Sequence, residues 1–549
     1  TFAHDKIRDV VYTEAGVTRR RLYHRRVFSL LEAGLRQAQR AQTQPAAELA
    51  FHAVAARLND EAFRYSMAAG DEALRLNAFV EAAGHYDRAL EYLEEVESTA
   101  AERRTLYTQR GRSLELCGHY ALALENYAAM SAAARRYDDP ALGLAALVAE
   151  GTIRATANEY SDFVLGEELG EKALELAREL DDKTAEARIQ WNMLNVYRMT
   201  GRNEEALEAG QRSLALAEEL GLREEMAYAA NDLVYIYMAL GEVAPVLALG
   251  ERAIALWREL GNLPMLSDSL INYANMQAMS GEYEQALAIA GEALAISRTL
   301  ENHWAHSFSL YTFSMVYKQT MQVDEALSAM QESLRLGHAA GFTGAQVLVR
   351  VFEAELRLAL GDTAGARGLA EKAVDIAGKS IPLFWPTAQG VLAQTAVAEG
   401  RLDEAGQILQ SVERERYQPN LMGFLTMETA VCRYALACGK FAEAYAYSSQ
   451  VLAFLDAQKL RMYVADFLYF QGQALVDLQR AHEARTVLAR ALAVLRETAG
   501  RRGFVDTAML LAELEEQVGN SETAEGIREE AREVGEFVEG RVLVDQVGE

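Results

Sequence analysis

Few side chains in this chain have the types and spacing that catalysis needs. His303 and His306, with Glu301 nearby, offer metal-ligating types. A zinc pair on a helix needs histidines four apart and a third ligand with a reason to be near. Here the spacing is three and no third ligand is identifiable, so no metal site is expected. Serine, histidine and aspartate are scattered without a nucleophile motif such as G-x-S-x-G. No phosphate-binding loop of the G-x-x-x-x-G-K-[ST] kind is present, so the chain is not expected to hydrolyse ATP by itself. Cys117, Cys432 and Cys438 are too few and too irregular for a disulfide framework or a zinc site. The cluster Arg19, Arg20, Arg21, His24, Arg25 and Arg26 could meet phosphate. It reads instead as the solvated face of a helix that turns Leu22, Val27 and Leu30 inward.

The elements that would position any site repeat with a period near 40. Alanine recurs at 82, 123, 206, 286, 326, 366, 405, 444, 484 and 524, with Gly166 and Val246 in the two missing slots. Five residues before these slots stands a turn residue, most often glycine: Gly118, Gly201, Gly241, Gly281, Gly361, Gly400, Gly439 and Gly519. Asn77, Ser161, Met321 and Gln479 fill the other turn slots. So constant a period means about twelve stacked units, each burying its apolar face against the next.

One unit shows the logic. Residues 187–200 carry apolar positions at helical spacing, Gly201 breaks the helix, and residues 203–220 resume it with Ala206, Leu207, Leu214, Leu216 and Leu220. Asn203 is placed to cap the second helix. Seven residues before the turns, small side chains recur at Gly70, Gly111, Ala274, Ser314, Ala354, Ala393, Cys432, Gly472 and Ala512. They let the two helices approach, and the alanine after the turn is expected to meet them there. The expected fold is all-α, a right-handed superhelical solenoid of about twelve hairpins. Its domains are a helical segment over 1–44, the solenoid over 45–540 and a tail over 541–549.

The Gly-x₄-Ala turn and the small residues of both helices resemble the tetratricopeptide repeat, with Tyr197, Tyr237 and Tyr317 in its aromatic slot. In that family the first helix of each hairpin lines a concave groove. The resemblance therefore implies groove positions ten, six and three residues before the turns. Read off, these are Arg112, Asn158, Trp191, Asn195, Arg198, Asn231, Tyr235, Asn275, Tyr311, Met315 and Lys318. Stacked amides can hold an extended peptide backbone, and aromatics supply anchor area.

The opening residues carry a second resemblance. Phe2-Ala3-His4-Asp5, continued by Ile7-Arg8-Asp9, is similar to the Met-His-Asp motif that ends the nucleotide-binding module of signal-transducing P-loop NTPases (the STAND type), with Ala in place of Met. The resemblance implies that His4 senses the nucleotide's phosphates with Asp5 beside it. It also implies that ATP or ADP belongs to an upstream module, since no cofactor is expected in this chain. Beginning at Thr1 without an initiator Met, the chain is expected to be part of a longer protein.

The 54 Lys and Arg against 80 Asp and Glu leave a formal charge of −26, which repels nucleic acid. No run is long and apolar enough to span a bilayer and no signal peptide is seen, so a cytoplasmic setting is expected. The resulting expectation is a non-enzymatic sensor arm of a signalling or transcriptional regulator. A partner protein, a peptide or a small effector would bind in its groove. A free-standing protein-interaction scaffold is the alternative.

Overall fold

The computed structural model describes residues 12–37, 46–76, 78–156, 158–412 and 421–542. From Val17 onward these residues form 26 α-helices and no strand, and from Asn59 they run as twelve consecutive hairpins. The expected turn glycines Gly118, Gly201, Gly241, Gly281, Gly361, Gly400, Gly439 and Gly519 all take φ between +71° and +86°. That is the left-handed region a helix C-terminus uses and glycine enters without strain. Met321 and Gln479 adopt the same conformation in the same slot. Asn77 lies outside the described residues. Asn203 is the first helical residue rather than a cap. Side-chain caps instead come from Asp139, Asp162, Asp182, Asn262, Asn302 and Asp362.

The alanine slots are the tightest points of the fold. All ten alanines are fully buried. The small residues before the turns, however, make room for a different neighbour than the alanine. A Cβ on Gly70 would lie 2.6 Å from the Tyr86 ring, nine residues after the turn. Gly111 admits Tyr127 and Gly472 admits Leu488 in the same way. Small on the first helix is thus matched by large on the second. The sequence inverts the sizes at Leu194 with Gly210 and Val234 with Gly250. At Gly250 the space goes to Tyr273 of the next hairpin, whose ring would lie 2.9 Å from an added Cβ.

The chain divides into two compact units, Thr1–Gly221 and Leu222–Glu549. The first holds the helices Val17–Gln37 and Ala46–Ala56 and four hairpins. Phe28 seats the opening helix on Leu49, Ala53 and Ala62. Leu22, Val27 and Leu30 are exposed, which corrects the expectation that they turn inward. The buried face of that helix is the one bearing His24 and Phe28.

The second unit holds eight hairpins, and its early hairpins meet residues far along the same unit. The Val243 amide donates to Gln458 Oε1 at 3.1 Å. The amides of Arg501 and Arg502 donate to the Gln319 carbonyl at 2.9 and 3.1 Å. A Cβ on Gly281 would stand 2.8 Å from Thr498 Cγ2 and 3.1 Å from Arg461 Cβ, so this glycine is required both by its φ and by close approach. One continuous core runs from Val234 to Ala491.

Ala286 is fully buried. Ala286→Leu should cost about 1–3 kcal/mol through overpacking, while exposed Glu284→Gln should change stability by less than about 0.5 kcal/mol. Thermal melts of the two variants compare them, and equal shifts would refute the assigned helix faces.

Candidate functional site

First helices of successive hairpins are stitched together by polar side chains about 37 residues apart. Asn231 donates to Asp268 Oδ2 at 3.1 Å and accepts from Ser269. Tyr235 OH contacts Asp268 at 3.3 Å and accepts from Asn272 Nδ2 at 2.7 Å. Thr312 Oγ1 donates to Asn275 Oδ1 at 2.7 Å, and Lys318 pairs with Glu355. In the first unit Thr152 Oγ1 donates to Asn192 Oδ1 at 3.1 Å, across 40 residues. Each pair satisfies polar groups that burial would otherwise penalise.

This arrangement corrects the groove assignment for most of its members. Asn195, Asn231 and Asn275 are buried between helices, as are Trp191, Tyr311, Met315 and Lys318. Tyr235 is half-buried within the same ladder. Asn231, Tyr235 and Asn275 bond to the next first helix, whereas Asn195 bonds within its own, to the Trp191 carbonyl and Arg198. Asn158 is not on a first helix. It braces the connection before Phe163, donating to the Ile153 carbonyl at 2.8 Å and accepting from the Tyr160 amide at 2.7 Å. Arg112 is exposed and Arg198 half-buried.

In the first unit these two arginines belong to a basic stripe. Arg198 donates to Asn195 Oδ1 at 2.9 Å. Arg188, on the same helix face, lies 5.1 Å over the buried Trp191 ring. Arg112 and Arg188 both act on Glu115, which accepts a hydrogen bond from Tyr127. Burial nevertheless holds the Glu115 carboxyl above its usual range. Glu115 lies on Ala100–Leu116 and Arg188 on Lys183–Met199, so side chains two repeats apart converge.

The inner face of the second unit is filled by the unit itself. Lys318 is 0% exposed, pairs with Glu355 and lies 4.3 Å from the Phe352 ring centroid. Arg502 reaches in from the connection before Phe504, pairs with Asp466 and donates to Gln319 Oε1 at 2.9 Å. Arg433 comes from Leu421–Ala437 and lies 5.6 Å from the Phe470 ring centroid. Burial lowers the pKa of Lys318, against the pull of Glu355, and lowers that of Arg433. Burial raises that of Asp466 against Arg502, Arg433 and Lys318. Glu355 and Arg433 occupy the slot six residues before a turn, so carrying that count further along the sequence finds them. Asp466 and Arg502 have no such signal, because a five-residue connection between repeats carries Arg502.

His4 and Asp5 lie outside the described residues. The segment from His303 to His306 is packing: Trp304 contacts Phe308 and Phe342 with ring centroids 5.4 and 5.1 Å apart. Among the described residues no three His, Cys, Asp or Glu side chains cluster as metal ligands, and no helix is long and apolar enough to cross a membrane. The histidine that the structure does single out is His24. Its Nδ1 lies 2.8 Å from His52 Nδ1, and Tyr12 OH is 2.8 Å from its Nε2.

Residues 161–219 match a family model described as tetratricopeptide repeat. Among solved structures, the APC/C hetero-tetramer Cut9-Hcn1 aligns with a TM-score of 0.52 at 14% identity, over 88% of this chain and 90% of that one. The fold is a tetratricopeptide-type solenoid, an architecture suited to protein–protein interaction. A Rap protein complexed with competence and sporulation factor aligns at TM-score 0.41 and 12% identity, over 63% of this chain and 99% of that one. Aspartyl phosphate phosphatase F from Bacillus subtilis aligns at 0.43 and 10%, over 66% and 95%. A search of curated proteins gave no match.

The Lys318–Glu355 pair fixes a stability prediction. Lys318→Met leaves a buried carboxylate unpaired and should cost about 3–5 kcal/mol, whereas Lys318→Met with Glu355→Leu should recover most of that loss. Denaturant unfolding of both variants measures the coupling, and additive losses would refute it.

The His24–His52 contact fixes a second. Only one proton fits between the two Nδ1 atoms. Burial lowers both pKa values below 6.5; His52 and Arg20 lower that of His24 further, and Glu48 partly opposes the shift at His52. Folded pKa values below the unfolded value mean that stability is present in full above pH 6.5 and is lost as pH falls below it. Hydrogen exchange over Val17–Gln37 should be faster, after correction for intrinsic rates, at pH 5 than at pH 7.5. His24→Phe should flatten the difference, and an unchanged pH response in that variant would refute the assignment.

Proposed function

We propose that this chain is a non-enzymatic interaction arm that holds an acidic protein segment against the basic stripe of its first unit. The observation that carries the reading is that Arg112 and Arg188, from helices two repeats apart, both act on Glu115 while they and Arg198, on the helix of Arg188, stay partly open to solvent on a chain of formal charge −26. Guanidinium groups bind carboxylates with fixed, bidentate geometry, and Trp191 holds one of them in place by its ring face. The surrounding acidic surface repels acidic segments elsewhere, which favours one register over many.

The further reading as the arm of a cytoplasmic signalling or transcriptional regulator, coupled to an upstream NTPase, rests on the resemblance at Phe2-Ala3-His4-Asp5. A free-standing scaffold fits the fold equally, and a P-loop encoded upstream of Thr1 would separate the two.

Fluorescence anisotropy with two labelled 15-residue peptides, one rich in Asp and Glu and one rich in Lys and Arg, tests the interaction. The acidic peptide should bind, and Arg112→Glu with Arg198→Glu should weaken it about tenfold, roughly 1.4 kcal/mol. Glu218→Ala should leave binding intact. Preference for the basic peptide, or indifference to the two arginines, would overturn the reading.

A further inference from the structure

The opening helix Val17–Gln37 carries six arginines and one glutamate in a chain of formal charge −26. One face of it serves the fold. His24 and Phe28 are buried there, and Arg21 Nε donates to the Ala56 carbonyl at 2.9 Å. At 3.6 residues per turn the opposite face holds Arg19, Leu22, Tyr23, Arg26, Val27 and Leu30, and all six are exposed. Leu22, Tyr23 and Leu30 show 62%, 60% and 67% of their surface to solvent. The end of a solenoid needs a polar outer face to stay soluble. The closing helix Ser521–Val542 has one. Glu522, Glu525, Glu529, Glu533 and Glu536 are exposed, and among its described residues no large apolar side chain is. The arginines of the opening helix are unusual as well. Other exposed arginines pair with carboxylates of the neighbouring repeat, as Arg136 with Glu94, Arg258 with Glu292 and Arg490 with Asp456. Arg19, Arg25 and Arg26 pair with no carboxylate among the described residues.

We propose that this face docks an acidic amphipathic helix of a separate partner protein. Arg19 and Arg26, seven residues apart, run along its midline, with Leu22 to one side and Tyr23 and Val27 to the other. A helix with leucines at three- and four-residue spacing and carboxylates seven apart matches both features at once. Its leucines pack between the exposed apolar side chains, and its carboxylates reach the two guanidinium groups. A bilayer fits worse. Two charges would enter it at the centre of the stripe, and anionic headgroups repel a chain of this acidity. A second copy fits worse too, because its acidic closing helix offers no large exposed apolar side chain among the described residues. The proposal is independent of the acidic segment assigned to Arg112 and Arg198, which needs no apolar side chains.

Fluorescence anisotropy on the full chain tests it. The probe is a labelled 21-residue helical peptide with leucines three and four apart and glutamates seven apart on one face. A scrambled peptide of the same composition should bind at least about tenfold more weakly. Leu22→Ser with Leu30→Ser should weaken the helical peptide about tenfold, and Arg19→Glu with Arg26→Glu should do the same. The second variant should regain binding when the peptide's glutamates are replaced by lysines, which an unfolded helix could not do. It decides the matter if circular dichroism shows that the serine variant does not fold. Arg112→Glu with Arg198→Glu should bind the helical peptide normally, so the two readings fail separately. Equal binding of the scrambled peptide, indifference to both pairs of substitutions, co-sedimentation with phosphatidylserine vesicles that Leu30→Ser abolishes, or a dimer that Leu30→Ser dissolves would overturn the proposal.

Discussion

Everything in this fold depends on how closely two helices can approach across one turn. The residue five after each turn, alanine in ten repeats and Gly166 or Val246 in the other two, is buried, and it limits how closely the helix pair packs. Once that separation is fixed, the remaining volume has to be shared. Gly70 yields to Tyr86, Gly111 to Tyr127 and Gly472 to Leu488. The repeat therefore tolerates wide variation in side-chain identity while keeping one geometry, which is why a period near 40 persists with so little exact repetition.

A fixed hairpin geometry also fixes what the first helices present to one another. Residues about 37 apart on successive first helices face each other, and the chain uses that register for polar contacts. Asn231 with Asp268, Asn275 with Thr312 and Lys318 with Glu355 are three instances of one spacing. Side chains that could have gripped a peptide backbone instead hold neighbouring repeats in register. Such contacts penalise slippage of one hairpin against the next, since a shifted helix would leave several buried polar groups unpaired at once.

The hairpins, their number and their turns were legible in the sequence because they depend on local constraints. A left-handed turn selects glycine, and a close approach selects alanine, each at a fixed offset. The inner face was less legible. Counting back from the turn identifies which residues point toward the next first helix, but it does not say whether solvent or protein lies beyond them. Arg112 and Arg198 keep access to solvent, whereas Tyr311 and Lys318, chosen by the same count, are buried. The deciding contacts come from Arg501 and Arg502, about 180 residues away in sequence, and no periodicity connects them to Gln319. The opening helix was misjudged for a related reason. Leu22, Val27 and Leu30 look like a core stripe, but the face that docks is set by Phe28 and His24 against Leu49 and His52.

The connections between hairpins explain where the inner face of the second unit fills. Six of the links from one hairpin to the next are two or three residues long, as at Gly221-Leu222 and Gly261-Asn262. So short a link lets the next helix start but carries no side chain inward. The link from Lys459 to Tyr463 and that from Ala499 to Gly503 are longer. They bring Leu460, Met462 and Tyr463 into the core and Arg501 and Arg502 to the Gln319 carbonyl. Two or three added residues per link thus cover part of an inner surface. Charges carried under that cover lose much of their hydration and pair instead, Lys318 with Glu355 and Arg502 with Asp466.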